Sequence, residues 1–149
     1  METQELVKAL GEAIGIELSL DADGAASFEA DGLVVTINDL PEIGALVLVG
    51  DLGDPPPVNL EELYKAMLES QYLFRDTGGA TLSRNPENGH FALCRPLAAK
   101  ALAAESFLES VSRFISTLQT WADVVRNYRG GEISRDSQPP VPSLDFIKV

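Results

Sequence analysis

The order of helices and strands along the chain makes α+β the fold class that the sequence predicts. Two stretches, residues 26–39 and 80–97, each contain two short alternating strands joined by a tight turn. Three other stretches place apolar residues at helical spacing, and the last continues for about 25 residues. With one further apolar strand, the predicted order is α-β-β-β-α-β-β-α.

The first helix is predicted from "TQELVKALGEAIGI", where Leu6, Val7, Leu10 and Ile14 share one face and Gly15 is suited to end the helix. In the first hairpin, residues 31–32 (Asp-Gly) form the predicted turn between two strands.

The stretch Ala45–Gly50, "ALVLVG", is apolar at every position. A strand with one solvated face alternates apolar with polar residues. We therefore expect this strand either to be covered on both faces or to present an apolar face to a partner. It is the first indication of a binding surface.

The second helix is expected to open with a capping box between Asn59 and Glu62 and to run to about Tyr72. A second hairpin follows, with strands Ala80–Arg84 and His90–Leu97. The third helix begins near Ala103, where the sequence supplies no clear capping residue.

Composition limits the function classes. The 149 residues carry a net charge of −12, and residues 1–62 hold 14 acidic side chains against Lys8 alone. This charge disfavours nucleic acid and anionic lipid and favours basic or polar protein partners. No apolar run of 18 residues and no signal peptide are found, so we expect neither membrane insertion nor export. The default expectation is therefore a cytoplasmic location. The single Cys94 cannot form an internal disulfide, which agrees with a reducing compartment.

The stretch "DTGGATL" raises the question of catalysis, because Asp76-Thr77-Gly78 is the signature triplet of aspartic proteases. That chemistry needs two such loops in an all-β body, so that two carboxylates share a proton. Here Asp76 follows a predicted helix, and the long third helix has no place in an all-β body. A homodimeric protease using Asp76 is therefore the weaker alternative. A phosphate site at Gly78-Gly79 fails because a strand follows instead of a helix.

Two other polar groupings also favour structural roles. His90 and Cys94 lie four residues apart on one predicted strand, about 13 Å, too far to share a proton. Asp21 and Asp23 resemble the start of a calcium loop but lack its glycine spacing and remaining ligands, so a polar turn explains them.

Together these motifs resemble the class I effector chaperones of bacterial type III secretion, the CesT-like (Tir chaperone) family. The most specific stretch is "DTGGATLSRNPENGHFALCRPL", supported by "LGEAIGIEL", "DGLVVTI" and "ESFLESVSRFISTLQTWADVV". The resemblance covers residues 1 to about 128. It implies an α+β protomer with helices against a twisted antiparallel sheet, working as a homodimer without catalysis, cofactor or metal.

The resemblance also implies a function: binding the extended N-terminal segment of a secreted effector, which keeps the effector soluble and secretion-competent in the bacterial cytoplasm. The secretion ATPase is a further candidate partner. A non-secretory adaptor of the same fold is the alternative within the binding class.

Family likeness assigns residues to two surfaces, each with ordinary core packing as the alternative. The expected dimer interface consists of Leu60, Leu63, Tyr64, Met67, Leu68 and Tyr72. The expected effector-binding residues are Leu6, Leu10, Phe28, Val35 and Val47.

The domain is expected to span residues 1–129, and residues 130–149 to form a flexible tail containing glycine and proline. One hypothesis places the apolar end of the tail, "LDFIKV", in a cargo groove of its own or a neighbouring dimer until an effector displaces it. A tail without a binding role is the alternative.

Overall fold

A computed structural model describes residues 2–133, and the remainder of the tail with its proposed groove contact lies outside the described residues. The helices and strands follow in the predicted order: α1 (Thr3–Ile14), β1 (Ala25–Ala30), β2 (Leu33–Leu40), β3 (Ala45–Gly53), α2 (Glu61–Gln71), β4 (Thr81–Arg84), β5 (Phe91–Ala98) and α3 (Ala104–Asn127). Short 3-10 turns occupy Pro41–Ile43, Tyr72–Phe74 and Ala99–Ala101. The predicted α+β class is confirmed.

The five strands form one antiparallel sheet in the order β1-β2-β3-β5-β4. The all-apolar strand β3 is therefore central, while β1 and β4 lie at the edges. The turn between β1 and β2 has positive φ at Asp31 (50°) and Gly32 (80°). Positive φ at both central residues matches the twist of a two-residue hairpin, as the sequence predicted.

Helices α2 and α3 are capped differently from expectation. The Asn59 side chain accepts a hydrogen bond from the N–H of Glu61 (3.0 Å), a one-sided turn rather than the predicted capping box with Glu62. At the start of α3, the Ser106 hydroxyl accepts from the N–H of Ala103 (3.1 Å) and lies 3.0 Å from the carbonyl oxygen of the same residue. Ser106 thus supplies the capping that the preceding residues lack.

All three helices contribute to one hydrophobic core against one face of the sheet. At the centre, Leu118 of α3 lies over Gly50 of β3, where a Cβ atom would approach the Leu118 side chain to 2.3 Å. Only glycine allows the helix to lie this close to the strand. The other face of the sheet therefore remains outside the core.

Candidate protein-binding surfaces

The face of the sheet turned away from the helices carries apolar side chains at its centre. In register, Val47 lies opposite Pro96, and Val49 lies between Thr36 and Cys94. We call these five residues the open sheet face. Pro96 is exposed and the others are half-buried, whereas the alternate residues of β3 are buried against the helices. Of the two arrangements expected for this strand, the apolar face presented outward is the observed one.

The edge of the sheet formed by β1 is a second candidate binding feature. Among residues 2–133, β1 pairs only with β2, so its other side has no strand partner; at Ala25, the first residue of β1, the N–H and C=O are bonded to Asp21. An unpaired edge presents alternating N–H and C=O groups that can pair with an added extended chain.

Most of the expected effector-binding residues lie in the core. Leu6 and Val35 are fully buried, and Leu10 and Phe28 are nearly so. They pack in the hydrophobic core cluster, so in this conformation they present no surface to a partner. Val47, on the open sheet face, is the accessible one. The uniformly apolar sequence of β3 carries no two-residue period, so it gave no signal for which residues point outward.

A second group of exposed apolar residues lies on α2 and on the 3-10 turn that follows it. Tyr64, Leu68, Tyr72, Leu73 and Phe74 expose between 43% and 75% of their surfaces. We call these five residues the α2 surface. It includes three of the six residues expected at a dimer interface. Of the other three, Leu63 and Met67 are buried and Leu60 is half-buried against the hydrophobic core.

The sequence did not indicate that Leu73 and Phe74 are exposed. They follow the end of the predicted second helix, where no periodic pattern shows which way a side chain points. The structure ends α2 at Gln71 and turns the chain through left-handed backbone at Leu73 (φ 56°) and Phe74 (φ 55°). Bulky L-residues adopt this conformation at a cost of about 1–2 kcal/mol each. Strained residues that are also exposed and apolar commonly mark a functional contact.

A mostly apolar groove of about 320 Å³ runs beside α2. Tyr64, Met67, Leu68, Gln71, Leu82, Ser83, Arg84 and Phe91 line it, and we call it the α2 groove. The rings of Tyr64 and Phe91 meet edge to face, with 6.0 Å between centroids. The Gln71 amide donates to the Met67 carbonyl (3.2 Å) and accepts from the Leu82 N–H (2.9 Å). This bridge fixes α2 against β4, so the groove is preformed.

The "DTGG" segment forms the junction between α2 and β4. The N–H of Asp76 donates to the Ser70 carbonyl at 3.0 Å, and the Arg95 guanidinium donates to the Gly78 carbonyl. Burial, and secondly the Arg113 charge, lower the pKa of Arg95. Asp76 thus follows a helix in an α+β protein, not a strand in the all-β body that aspartic proteases require.

The other candidate chemical groups also have structural partners. His90 Nδ1 lies 3.0 Å from Asp51 Oδ1, and its Nε2 lies 3.4 Å from Asp54 Oδ1. The Asp21 carboxylate accepts the N–H groups of Asp23 and Ala25 in a turn. Within residues 2–133, no group of three His, Cys, Asp or Glu side chains is placed to hold a metal ion. No described helix is both long and apolar enough to span a membrane.

An α+β fold with an apolar open sheet face and an apolar helix surface has two surfaces of the kind that bind other proteins. The chain belongs to the Tir chaperone protein (CesT) family, whose pattern it matches over residues 5–122. The family predicted from the sequence is thus confirmed. A Chlamydia pneumoniae protein is 28% identical over 121 residues, which cover 79% of this chain and 92% of that protein.

Solved structures share the fold at low sequence identity. A chain of the ExsC–ExsE complex is 21% identical with a TM-score of 0.72, covering 84% of this chain and 97% of that one. A chain of the HopA1–SchA chaperone–effector complex is 17% identical with a TM-score of 0.65, covering 83% and 92%. A chain of the complex between the Yersinia pestis type III secretion chaperone SycH and a fragment of YscM2 is 17% identical with a TM-score of 0.63. The match covers 82% of this chain and 98% of that one.

Proposed function

We propose that this protein is a type III secretion chaperone that binds the extended N-terminal segment of a secreted effector. The observation that carries the proposal is the open sheet face, an apolar surface on the central strands of the sheet. Membership of a chaperone family supports the same function, and related solved complexes hold a chaperone with an effector. The bound segment stays soluble because its apolar side chains are covered, and it stays unfolded because its backbone is held extended.

The free edge of β1 and the open sheet face supply two kinds of recognition. Added to β1, an extended segment gains main-chain hydrogen bonds whatever its sequence. Where the segment instead crosses the open sheet face, its side chains gain burial of apolar surface against Val47 and Val49, and this gain depends on the cargo sequence. Cargo selectivity therefore resides in the side chains of the open sheet face.

The chaperone acts as a homodimer joined through the α2 surface. At about 200 Å² for a large side chain, the exposed fractions of its five residues add up to about 600 Å². A standard interface buries about 800 Å² per partner, so the α2 surface supplies most of one side. A patch of that size is at the upper limit for a monomer surface.

The chaperone works without catalysis or cofactor in the bacterial cytoplasm and passes its cargo to the secretion apparatus, with the secretion ATPase as the receiving partner. Residues 1–129 form the working domain and residues 130–149 a tail. The acidic charge of residues 1–62 keeps a dimer with apolar surfaces soluble and favours basic or polar cargo segments.

The test is capture from the native host with wild-type protein and with Val47→Asp, which places a charge on the open sheet face. Val58→Asp is the matched control, since Val58 is a partly exposed valine outside both apolar surfaces. We expect wild type and the control to retain the same protein, and Val47→Asp to lose it. The N-terminal segment of the captured protein, fused to an unrelated reporter, should then bind alone. A partner that binds only through a folded domain would favour a non-secretory adaptor.

A further inference from the structure

The junction between α2 and β4 contains three buried side-chain oxygens that the protein itself does not pair. Within residues 2–133, Ser70 Oγ, Asp76 Oδ2 and Thr77 Oγ1 are closed off from solvent and make no hydrogen bond. Ser70 exposes 0% and Thr77 exposes 1% of its surface. We propose that ordered water is bound inside this junction and hydrogen-bonds to all three oxygens. Neither the proposed cargo nor the homodimer is needed for this site.

The three residues belong to one turn of the chain. The main-chain N–H of Asp76 donates to the Ser70 carbonyl across 3.0 Å, and Thr77 follows directly. Adjacent Cα atoms are about 3.8 Å apart, and in these short side chains the oxygen is only two or three bonds from its own Cα. Since each O–H···O bond spans about 2.8 Å, one water or two linked waters can bridge the three oxygens.

The main chain of this segment is already hydrogen-bonded within the protein. The Asp76 carbonyl accepts from the Trp121 indole across 2.9 Å. The Thr77 carbonyl accepts from the N–H of Ala80 across 3.1 Å. These bonds fix the backbone and leave the three side-chain oxygens to find other partners. Folded proteins rarely leave such buried groups unpaired, and internal water is the usual partner where the chain supplies none.

Water fits this site better than a protein group or a metal ion. The chain itself covers the three oxygens, so a side chain of another protein has no access to them. Calcium takes about six to eight oxygen ligands, whereas Asp76 is the one carboxylate in the group. The Arg95 guanidinium, bound to the Gly78 carbonyl, adds a positive charge beside the site. A buried water typically makes about three hydrogen bonds, and it can donate to a carboxylate while bonding two hydroxyls.

The bound water joins the end of α2 to the approach to β4. Ser70 lies in the last turn of α2, and Asp76 and Thr77 precede β4. Water that bonds to both segments therefore helps to hold the helix against the sheet. The side chains of the Asp-Thr pair in "DTGG" thus act inside the protein, where Asp76 Oδ2 is not presented to a substrate.

The first test is a crystal structure of the full chain at about 1.8 Å resolution. We expect each of the three oxygens to lie within about 3.2 Å of an ordered water. Rotated side chains that pair all three oxygens with protein atoms would overturn the proposal, as would a well-ordered junction without water density. Six or more oxygens at about 2.3–2.6 Å from the density would assign a cation and would also overturn it.

The second test compares Thr77→Val with Thr117→Val by urea unfolding. Thr117 is the matched control, because it is also buried and its hydroxyl donates to the Arg113 carbonyl across 3.1 Å. Valine keeps the branched shape and removes the hydroxyl. If water pairs Thr77, both variants should lower the folding equilibrium constant by a similar factor, about fivefold or more. Because loss of an unpaired buried hydroxyl is not destabilising, a Thr77→Val protein as stable as wild type would overturn the proposal.

The third test asks whether Ser70 and Thr77 share the water. Ser70→Ala, Thr77→Val and the double variant form a mutant cycle, again measured by urea unfolding. A shared water predicts that the double variant loses less than the product of the two single factors. Independent, multiplicative losses would show separate partners and contradict the shared site. Thr77→Ser keeps a hydroxyl, so its crystal structure should retain the water that Thr77→Val loses.

Discussion

The indole N–H of Trp121 donates a hydrogen bond to the main-chain carbonyl of Asp76 across 2.9 Å. The bond joins the long helix α3 to the junction between α2 and β4. Trp121 is fully buried, so no solvent can replace the bond if it is lost. The first residue of the "DTGG" segment thus acts through its backbone and fixes the position of α2 relative to the core.

Trp121→Phe should destabilise the protein, because the ring is largely retained but the Asp76 carbonyl loses its donor. An unsatisfied buried acceptor costs about 1–3 kcal/mol, to which lost ring volume adds. Urea unfolding followed by circular dichroism measures the change. Asp76→Asn is a suitable comparison, since it preserves the backbone carbonyl and should leave this bond intact. Equal stability of Trp121→Phe and wild type would contradict the structural role of the bond.

Gly79→Ala should destabilise the protein more than Gly15→Ala does. Both glycines have positive φ, 89° and 79°, so both substitutions carry a similar backbone cost. A Cβ atom at Gly79 would lie 2.9 Å from Arg95 Nη1, whereas at Gly15 it meets nothing within 4 Å. Because the Gly78 carbonyl holds the guanidinium, Arg95 can move aside only by losing that bond.

The difference in unfolding free energy between these two alanine variants isolates the contact with Arg95. We expect it to be about 1 kcal/mol or more, the size of one hydrogen bond. Gly79→Val should extend the trend and lower the dimer fraction, since the junction sets the direction of α2. Two alanine variants of equal stability would show that Arg95 does not limit this position.

The strands and helices could be predicted because each leaves a local pattern. The spacing of Phe107, Val111, Phe114 and Leu118 specifies α3, and the Asp31-Gly32 pair specifies the first turn. Their physical causes, helical periodicity and left-handed backbone, act over a few residues. The family resemblance likewise rested on contiguous motifs, and the match over residues 5–122 confirms the family.

The surfaces could be predicted only in part, because exposure depends on contacts between distant segments. Leu6 and Val47 are both apolar residues, yet Leu6 is buried in the hydrophobic core and Val47 lies on the face of the sheet turned away from it. The outward turn at Leu73 and Phe74 depends on strained backbone that surrounding contacts impose, and local propensity disfavours it. Sequence patterns therefore predict a helix or strand but not which of its faces remains exposed.

Leu6→Ala and Val47→Thr should separate core residues from surface residues among the expected effector-binding set. Leu6 is fully buried, so its truncation should cost about 2–5 kcal/mol of unfolding free energy. Val47→Thr keeps a β-branched side chain on the open sheet face and should change stability by less than about 1 kcal/mol. Thermal unfolding with effector-binding assays on the same samples is the measurement. A large loss of stability in Val47→Thr would indicate that the open sheet face is part of the core.

Cys94 should report on occupation of the open sheet face, because it lies opposite Val49 on that face. Burial raises the pKa of the Cys94 thiol, and a hydrogen bond with Ser83 only partly opposes this effect. The thiolate is the reactive form, so alkylation by iodoacetamide at pH 8 should be slower in the folded protein than in urea. A bound effector segment should slow it further.

The same raised pKa has a consequence for stability. Because the folded state holds the thiol proton more tightly than the unfolded state, the protonated thiol contributes to the free energy of unfolding. This contribution is fully present below the ordinary thiol pKa of about 8.5. It is lost as pH rises through the higher pKa of the folded state. Wild type should therefore lose more stability than Cys94→Ser between pH 8 and pH 10, measured by urea unfolding at each pH. An identical pH dependence in the two proteins would count against a raised thiol pKa at Cys94. An alkylation rate that a saturating effector segment leaves unchanged would count against binding of the segment over Cys94 on the open sheet face.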